Sequence, residues 1–217
     1  MRQTPNRLFS QGIFGTGWKN ALISLGLAAG VYLSNLIYDL LNHGPAVLNL
    51  RTPLDAALPV VPVFVIPYDS LEPVIYFTLI VFLLFRTRLF QSACLALITA
   101  LFVSYGFYFF LQTEVQRPLL TSNDVFTQMI RAVYAGDNPF NDFPSLHTST
   151  STLMAIYWFR ANRRAGIVAT VWTALVVAST VLIKQHYVAD LASGLALAFG
   201  AAWLYGRLLP QGSPKAA

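Results

Sequence analysis

The stretch Lys184-Gln185-His186-Tyr187-Val188-Ala189-Asp190 separates two apolar runs, Ala165–Ile183 and Leu191–Leu209, each 19 residues long. A bilayer core takes about 20 helical residues to cross. The two runs therefore read as an antiparallel pair of membrane spans joined by a charged, histidine-bearing turn. Lipid offers a charge no water, so ionisable groups at such a place are costly unless the protein uses them. His186 and Asp190 are four apart, a spacing that puts both side chains on one face of a helix. A carboxylate there can accept one imidazole N–H and leave the lone pair of the other nitrogen available. That is the first requirement of a nucleophilic or general-base histidine. Two plainer readings stand beside it: a helix-end cluster reaching for the lipid headgroups, and half of a metal site.

The rest of the chain has the same character. Of its 217 residues, 56% are hydrophobic and 11% charged, whereas soluble domains carry roughly 25% charged residues. Further apolar stretches occupy Ala21–Leu41, Pro73–Phe85 with its flanks, Leu89–Leu111 and about Pro144–Phe159. The expected fold is thus all-α: a polytopic membrane protein with six transmembrane helices and its active site at the outer face. One domain covers 21–209, preceded by a basic cytoplasmic segment, 1–20, and followed by a disordered cytoplasmic tail, 210–217. The first apolar stretch is long and lacks a small-residue cleavage site, so it is expected to be retained. The single Cys94 excludes an intrachain disulfide and a cysteine-based metal cluster.

Charge decides orientation. With six spans and an inside N-terminus, Arg2, Arg7, Lys19, Arg86, Arg88, Arg160, Arg163, Arg164, Arg207 and Lys215 lie inside. Arg51, Arg117, Arg131 and Lys184 lie outside, a division of the 14 cations that satisfies the positive-inside rule. All 9 carboxylates fall on the outer half. The net charge of +5 is then cytoplasmic anchoring, and nucleic acid drops out as a partner. The expected location is the plasma (inner) membrane, multi-pass, with both termini cytoplasmic and the active site extracytoplasmic.

Two connections are long. Asn42–Glu72 carries Pro45, Pro53, Pro59, Pro62 and Pro67, too many for a continuous helix. Its apolar part, Leu58–Ile66, is expected to lie in the outer interface or dip into the bundle. In Gln112–Pro144, Val125, Phe126, Met129, Ile130 and Val133 recur at helical spacing. That predicts an amphipathic helix over Asp124–Ala135, capped by Asn123 and ended by Gly136, lying flat on the bilayer or over a pocket. Both segments are candidates for lipid access, and equally for a homo-oligomer contact.

Three polar outliers share one depth: Arg117-Pro118, Asp142-Phe143-Pro144-Ser145-Leu146-His147, and Lys184 to Asp190. Pro144 suits the first turn of a helix. Ser145, Leu146 and His147 then offer backbone N–H groups at a helix N-terminus, a natural anion site. Thr148 to Thr152 is too polar to face lipid and belongs to the interior, as packing or pocket lining. Arg117, Lys184 and the helix N-terminus together would hold a phosphate. With two histidines added, the parts suffice for phosphoryl transfer: one attacks phosphorus, the second protonates the leaving oxygen. No carboxylate cluster for magnesium accompanies them, so the chemistry is expected to need no metal and no cofactor.

The three stretches resemble the signature of the type-2 phosphatidic acid phosphatase superfamily, K-x6-RP, PSGH and SR-x5-H-x3-D. Arg117-Pro118 matches the end of the first motif. Pro144-Ser145-Leu146-His147 matches the second with Leu146 for its glycine, and Ser179, His186 and Asp190 match the third. The resemblance implies that His186 forms a phosphohistidine, Asp190 orients it, and His147 is the acid and later the base. It also implies that Arg117 and Ser145 bind phosphate in a membrane lipid. Two family cations are missing, replaced by Phe110 and Thr180; Lys184 is the candidate substitute. Phe-Pro-Ser-Leu-His with His-Tyr-Val-Ala-Asp is similar to the inositol phosphorylceramide synthase branch, whose members pass a headgroup between lipids. Hydrolysis of a lipid phosphate and headgroup transfer both fit. A rival of another class is a transporter or scaffold whose buried charges form a path.

Overall fold

The computed structural model describes residues 10–46 and 48–209, and among these the regular secondary structure is all helical, apart from two isolated bridges. In chain order the helices are α1 (Trp18–Leu41), α2 (Pro53–Ala57), α3 (Val65–Asp69), α4 (Leu71–Phe85), α5 (Thr87–Phe110), α6 (Val125–Gly136), α7 (Leu146–Ala161), α8 (Arg163–Leu182) and α9 (Val188–Leu208). Among the described residues, five stretches are long and apolar enough to cross a membrane: Trp18–Leu41, Pro62–Phe85, Thr87–Phe110, Arg163–Leu182 and Val188–Leu208. The segments expected at 1–9 and 210–217 lie outside the described residues.

The sixth expected span is α7, and it differs in kind. It has 16 residues and carries the hydroxyl run, so it fails the length and hydropathy of the other five. It packs against α8, α9, α5 and α4 at the centre of the bundle. Thr148, Ser149, Thr150, Ser151 and Thr152 are all buried. The Thr150 hydroxyl donates to Leu146 O at 2.7 Å and the Ser151 hydroxyl to His147 O at 2.7 Å. Such back-bonding satisfies hydroxyls inside a helix bundle without water. Thr173 of α8 adds a bond across the interface, to Ser151 O at 2.9 Å. The apolar core lies below this layer, around Phe82, Phe90, Leu97, Leu153, Tyr157 and Ala198.

The proline-rich connection is more helical than its prolines imply. Pro62–Phe64 forms a short 3-10 turn that runs into α3 and, across Ser70, into α4. Pro67 and Pro73 both fall in the first turn of their helices, where an N–H has no intrahelical partner to lose. Helical structure therefore begins well before Pro73. Val65 and Tyr68 of α3 pack with Ile130 of α6 and with Ile183. The amphipathic helix α6 thus packs on α3 and the end of α8, and its Val133 and Gly136 line the cavity described below. Its cap is Asp124, not Asn123: the Asp124 carboxylate accepts from the N–H groups of Phe126 and Thr127.

Upstream, Thr52 and Asp55 form a capping box at the start of α2. The other Asp55 oxygen accepts the Val188 N–H at 2.8 Å, tying this loop to the first residue of α9. Asp55→Ala removes both attachments at once. It should lower unfolding stability in detergent by about 1.5–3 kcal/mol and expose the 42–61 connection to limited proteolysis. An unchanged melting curve and cleavage pattern would show that the loop is held by other means.

Candidate active site

The turn between α8 and α9 sets the site. Thr180 O accepts from the N–H groups of Gln185 and His186, at 2.8 and 3.1 Å, which closes α8. Lys184 takes a left-handed conformation, φ 57°, to turn the chain. Tyr187 is the cap of α9, and the Asp190 carboxylate accepts its N–H at 2.8 Å. His186 therefore lies before the helix, not on it. The i, i+4 helical argument names the right pair through the wrong geometry: Asp190 reaches back as a capping carboxylate, and that brings Oδ2 to 3.5 Å from His186 Nδ1. The distance is long for a hydrogen bond, and Nδ1 has no hydrogen-bond partner.

The second histidine comes from the other side. Ser145 caps α7, so Pro144 precedes the helix instead of standing in its first turn; the Ser145 Oγ accepts the Thr148 N–H at 3.2 Å and its own N–H donates to Asp190 O at 3.1 Å. Tyr108 OH donates to Pro144 O at 2.8 Å, and Thr113 Oγ1 accepts from the N–H groups of Asp142 and Phe143. These bonds fix the turn that carries His147. Its ring stands edge-on to His186 with centroids 5.6 Å apart and stacks on Tyr68 of α3 at 4.3 Å. Both imidazoles line a cavity of about 700 Å³, with Leu146 beside them. Gly194 of α9 permits this approach: a Cβ there would lie 2.6 Å from Ser145 O and 2.9 Å from the Thr148 Cβ.

The cations fall elsewhere. Arg117 donates to Tyr134 O, Asp137 O and Asn138 O, at the end of α6, and to Gln185 Oε1 at 2.6 Å. It also lies over the Tyr134 ring. This fork straps α6 to the turn that carries His186, and the buried Nε is the nitrogen left without an acceptor. Lys184 donates to Asp55 O at 3.0 Å and Leu58 O at 2.7 Å and does not line the cavity. The structure gives it the task of anchoring the α2 loop, so it does not stand in for the cations absent at Phe110 and Thr180. Among the described residues, no three His, Cys, Asp or Glu side chains converge as a metal site.

Three contributors escape sequence reading. Tyr68 is one apolar-looking residue in a proline-rich run, Gly194 is a small residue among small residues, and Gln185 is an ordinary turn residue. A fourth, Asp142, was visible in its motif but not in its state. It is 4% exposed with Oδ2 unpartnered. Burial first, and then the Asp190 charge, push its carboxyl well above the usual 3.8.

A model of the PAP2 superfamily matches residues 43–204, more than half of the chain. The chain belongs to that superfamily and is a phosphatase-type membrane enzyme. No curated protein and no solved structure matches.

Two outcomes follow from this geometry. Gly194→Ala drives α9 against the cap of α7 and should cost about 1–3 kcal/mol, with a lower melting temperature; unaltered stability would mean that the two helices part freely. For Asp142 the neutral form is favoured in the fold, so its contribution is present below the ordinary carboxylate value and lost as pH rises through its folded value. Asp142→Asn should therefore raise the melting temperature at pH 7 and leave it nearly unchanged near pH 3.5. Equal effects at both values would contradict the buried neutral carboxyl.

Proposed function

We propose that this protein is an integral membrane lipid phosphatase or phosphotransferase acting through a phosphohistidine on His186, without a metal. The observation that carries the reading is the pair of imidazoles, 5.6 Å apart at the end of one cavity, with a carboxylate behind one of them. The Nδ1 side of His186 faces Asp190, which leaves Nε2 as the nucleophile. In the first half-reaction Nε2 attacks phosphorus, the P–O bond to the leaving group breaks, and His147 gives that oxygen its proton. Asp190 stabilises the charge that develops on the ring. In the second half-reaction an incoming hydroxyl attacks phosphorus, gives its proton to His147, and the P–N bond breaks. Water as acceptor gives hydrolysis; a lipid hydroxyl gives transfer. The first N–H groups of α7 are the donors for the equatorial oxygens, and Arg117 contributes by holding Gln185 of the turn that carries His186.

In this reading α7 crosses with the five apolar stretches. Its 16 residues rise about 24 Å, shorter than the roughly 30 Å hydrocarbon core, as a helix enclosed by its neighbours can be. Six crossings with the cationic excess inside put both termini in the cytoplasm and the histidines at the outer face of the plasma membrane. Transfer of a phosphorylated headgroup is the second reading. Phe110 and Thr180 at the positions of family cations, and Lys184 engaged elsewhere, favour a singly charged phosphodiester over a dianionic monoester.

His186→Ala and His147→Ala should each abolish turnover of lipid phosphate in detergent or vesicles. The wild type should carry an acid-labile, base-stable phosphate on His186 after brief incubation with labelled substrate. Retained turnover in His186→Ala would sink the mechanism, and absence of phosphoryl chemistry in the wild type would return the transporter or scaffold. Free phosphate released from phosphatidic acid or a polyprenyl phosphate marks hydrolysis, and a new lipid formed only with an acceptor marks transfer.

A further inference from the structure

The two histidines are held by different means. His186 has the Asp190 carboxylate behind it, 3.5 Å away. His147 has no such partner: among the described residues, nothing is hydrogen-bonded or ion-paired to either of its ring nitrogens. What it has is a ring. Tyr68 lies against its face, with centroids 4.3 Å apart and the planes 22° from parallel. Its other ring contact among the described residues is the edge-on approach to His186 at 5.6 Å. Tyr68, His147 and His186 all line the same cavity.

Tyr68 is itself firmly placed. It is buried on α3 and packs with Val65, Ile130 and Ile183. Ahead of α3, the Val61 N–H donates to Leu182 O at 3.0 Å. Behind it, Trp172 Nε1 donates to Ser70 Oγ at 2.9 Å, and the Ser70 hydroxyl donates to Pro67 O at 2.7 Å. Both ends of α3 are thus tied to α8, the helix whose following turn carries His186. One helix therefore fixes Tyr68 and the nucleophile together. Stacking sets the plane of an imidazole without using its nitrogens, because the N–H and the lone pair both lie in that plane. A hydrogen-bonded orienter would occupy one of them. A group that gives a proton to a leaving oxygen and then takes one from an incoming hydroxyl keeps both edges open in this way. The phenol face also attracts an imidazolium, which an alkyl side chain in its place does not.

We infer that Tyr68, which lies outside all three motifs, is a positioning residue for phosphoryl transfer, its ring face holding the His147 imidazole edge-on to His186. The inference rests on the reading of His147 as acid and base, and it extends the machinery to the proline-rich connection. In this role Tyr68 exchanges no proton and forms no bond to substrate. The ring face carries the function, and the hydroxyl does not.

The test separates ring position from turnover, on the full chain in detergent. The chain has three histidines, so spectra of protein labelled with 13C in the imidazole rings are assigned with His43→Ala and His147→Ala. Protons held over an aromatic face resonate upfield. The wild-type His147 ring protons should therefore lie well upfield of those of the exposed His43. The displacement should persist in Tyr68→Phe and disappear in Tyr68→Leu and Tyr68→Met. A wild type without it overturns the inference, and that measurement needs no Tyr68 variant to fold. Turnover is measured on dioctanoyl phosphatidic acid, and on dioctanoyl phosphatidylglycerol with dioctanoylglycerol as acceptor. Tyr68→Leu and Tyr68→Met should lower kcat roughly tenfold to a hundredfold with KM within about twofold, and Tyr68→Phe should stay within about threefold of wild type. Full turnover in Tyr68→Leu, or a loss in Tyr68→Phe as deep as in Tyr68→Leu, overturns the role of the ring face. So does a loss of turnover in Tyr68→Leu with the His147 resonances unmoved. A wild type inert towards both lipids, or His147→Ala equal to the wild type, would instead sink the reading of His147 as acid and base. The ring resonances would still show whether Tyr68 holds it.

Discussion

The structure depends on one capping carboxylate. Asp190 closes the first turn of α9 by accepting the Tyr187 N–H, and from that position the same oxygen lies 3.5 Å from His186. A helix that starts inside an apolar bundle must have its first N–H groups satisfied locally, since water is scarce there. The residue that meets this requirement also sets its carboxylate beside the imidazole. The helix cap and the histidine thus share one carboxylate oxygen. Its backbone participates as well: Asp190 O accepts the Ser145 N–H, so the cap of α9 and the cap of α7 are joined directly.

Around that junction the polar groups are arranged in layers. The hydroxyls of Ser149, Thr150 and Ser151 return to their own helix, Arg117 gathers the carbonyls at the end of α6, and Lys184 gathers those of the α2 loop. Each cation takes acceptors that a helix end or loop would otherwise leave bare. This explains why residues that look like phosphate ligands by type serve as struts. It also explains why the histidines keep a cavity of their own, with Tyr68 stacked on one and Asp190 behind the other.

Much of this could be read from the chain before its fold was known. The apolar runs, the amphipathic helix now α6, the interior hydroxyl run and the pairing of His186 with Asp190 all follow from period and spacing. So does superfamily membership, which three short motifs carry. Other features were hidden for identifiable reasons. Pro67 and Pro73 look like helix breakers because position within a turn is not visible in a proline count. The location of His186 ahead of α9 depends on a cap whose side-chain direction spacing does not encode. Arg117 and Lys184 were assigned by charge, and charge alone does not say whether a cation meets a ligand or a carbonyl. Gly194 has no periodic signature; its importance lies in what stands opposite it.

The helix α1 leans chiefly on α5, and its other faces are exposed apolar surface, including Leu22, Ile23, Leu33, Leu36 and Leu40. Yet α1 supplies part of the cavity wall through Val31, Asn35, Tyr38 and Asp39. With α5 as its chief helical neighbour, α1 leaves the outer side of this wall to whatever surrounds the bundle, which for a membrane protein is lipid. The bilayer is then a structural component of the pocket as well as its surroundings. Chain order, thickness and lateral pressure become determinants of pocket shape, and a detergent micelle replaces one wall of the enzyme with a different material.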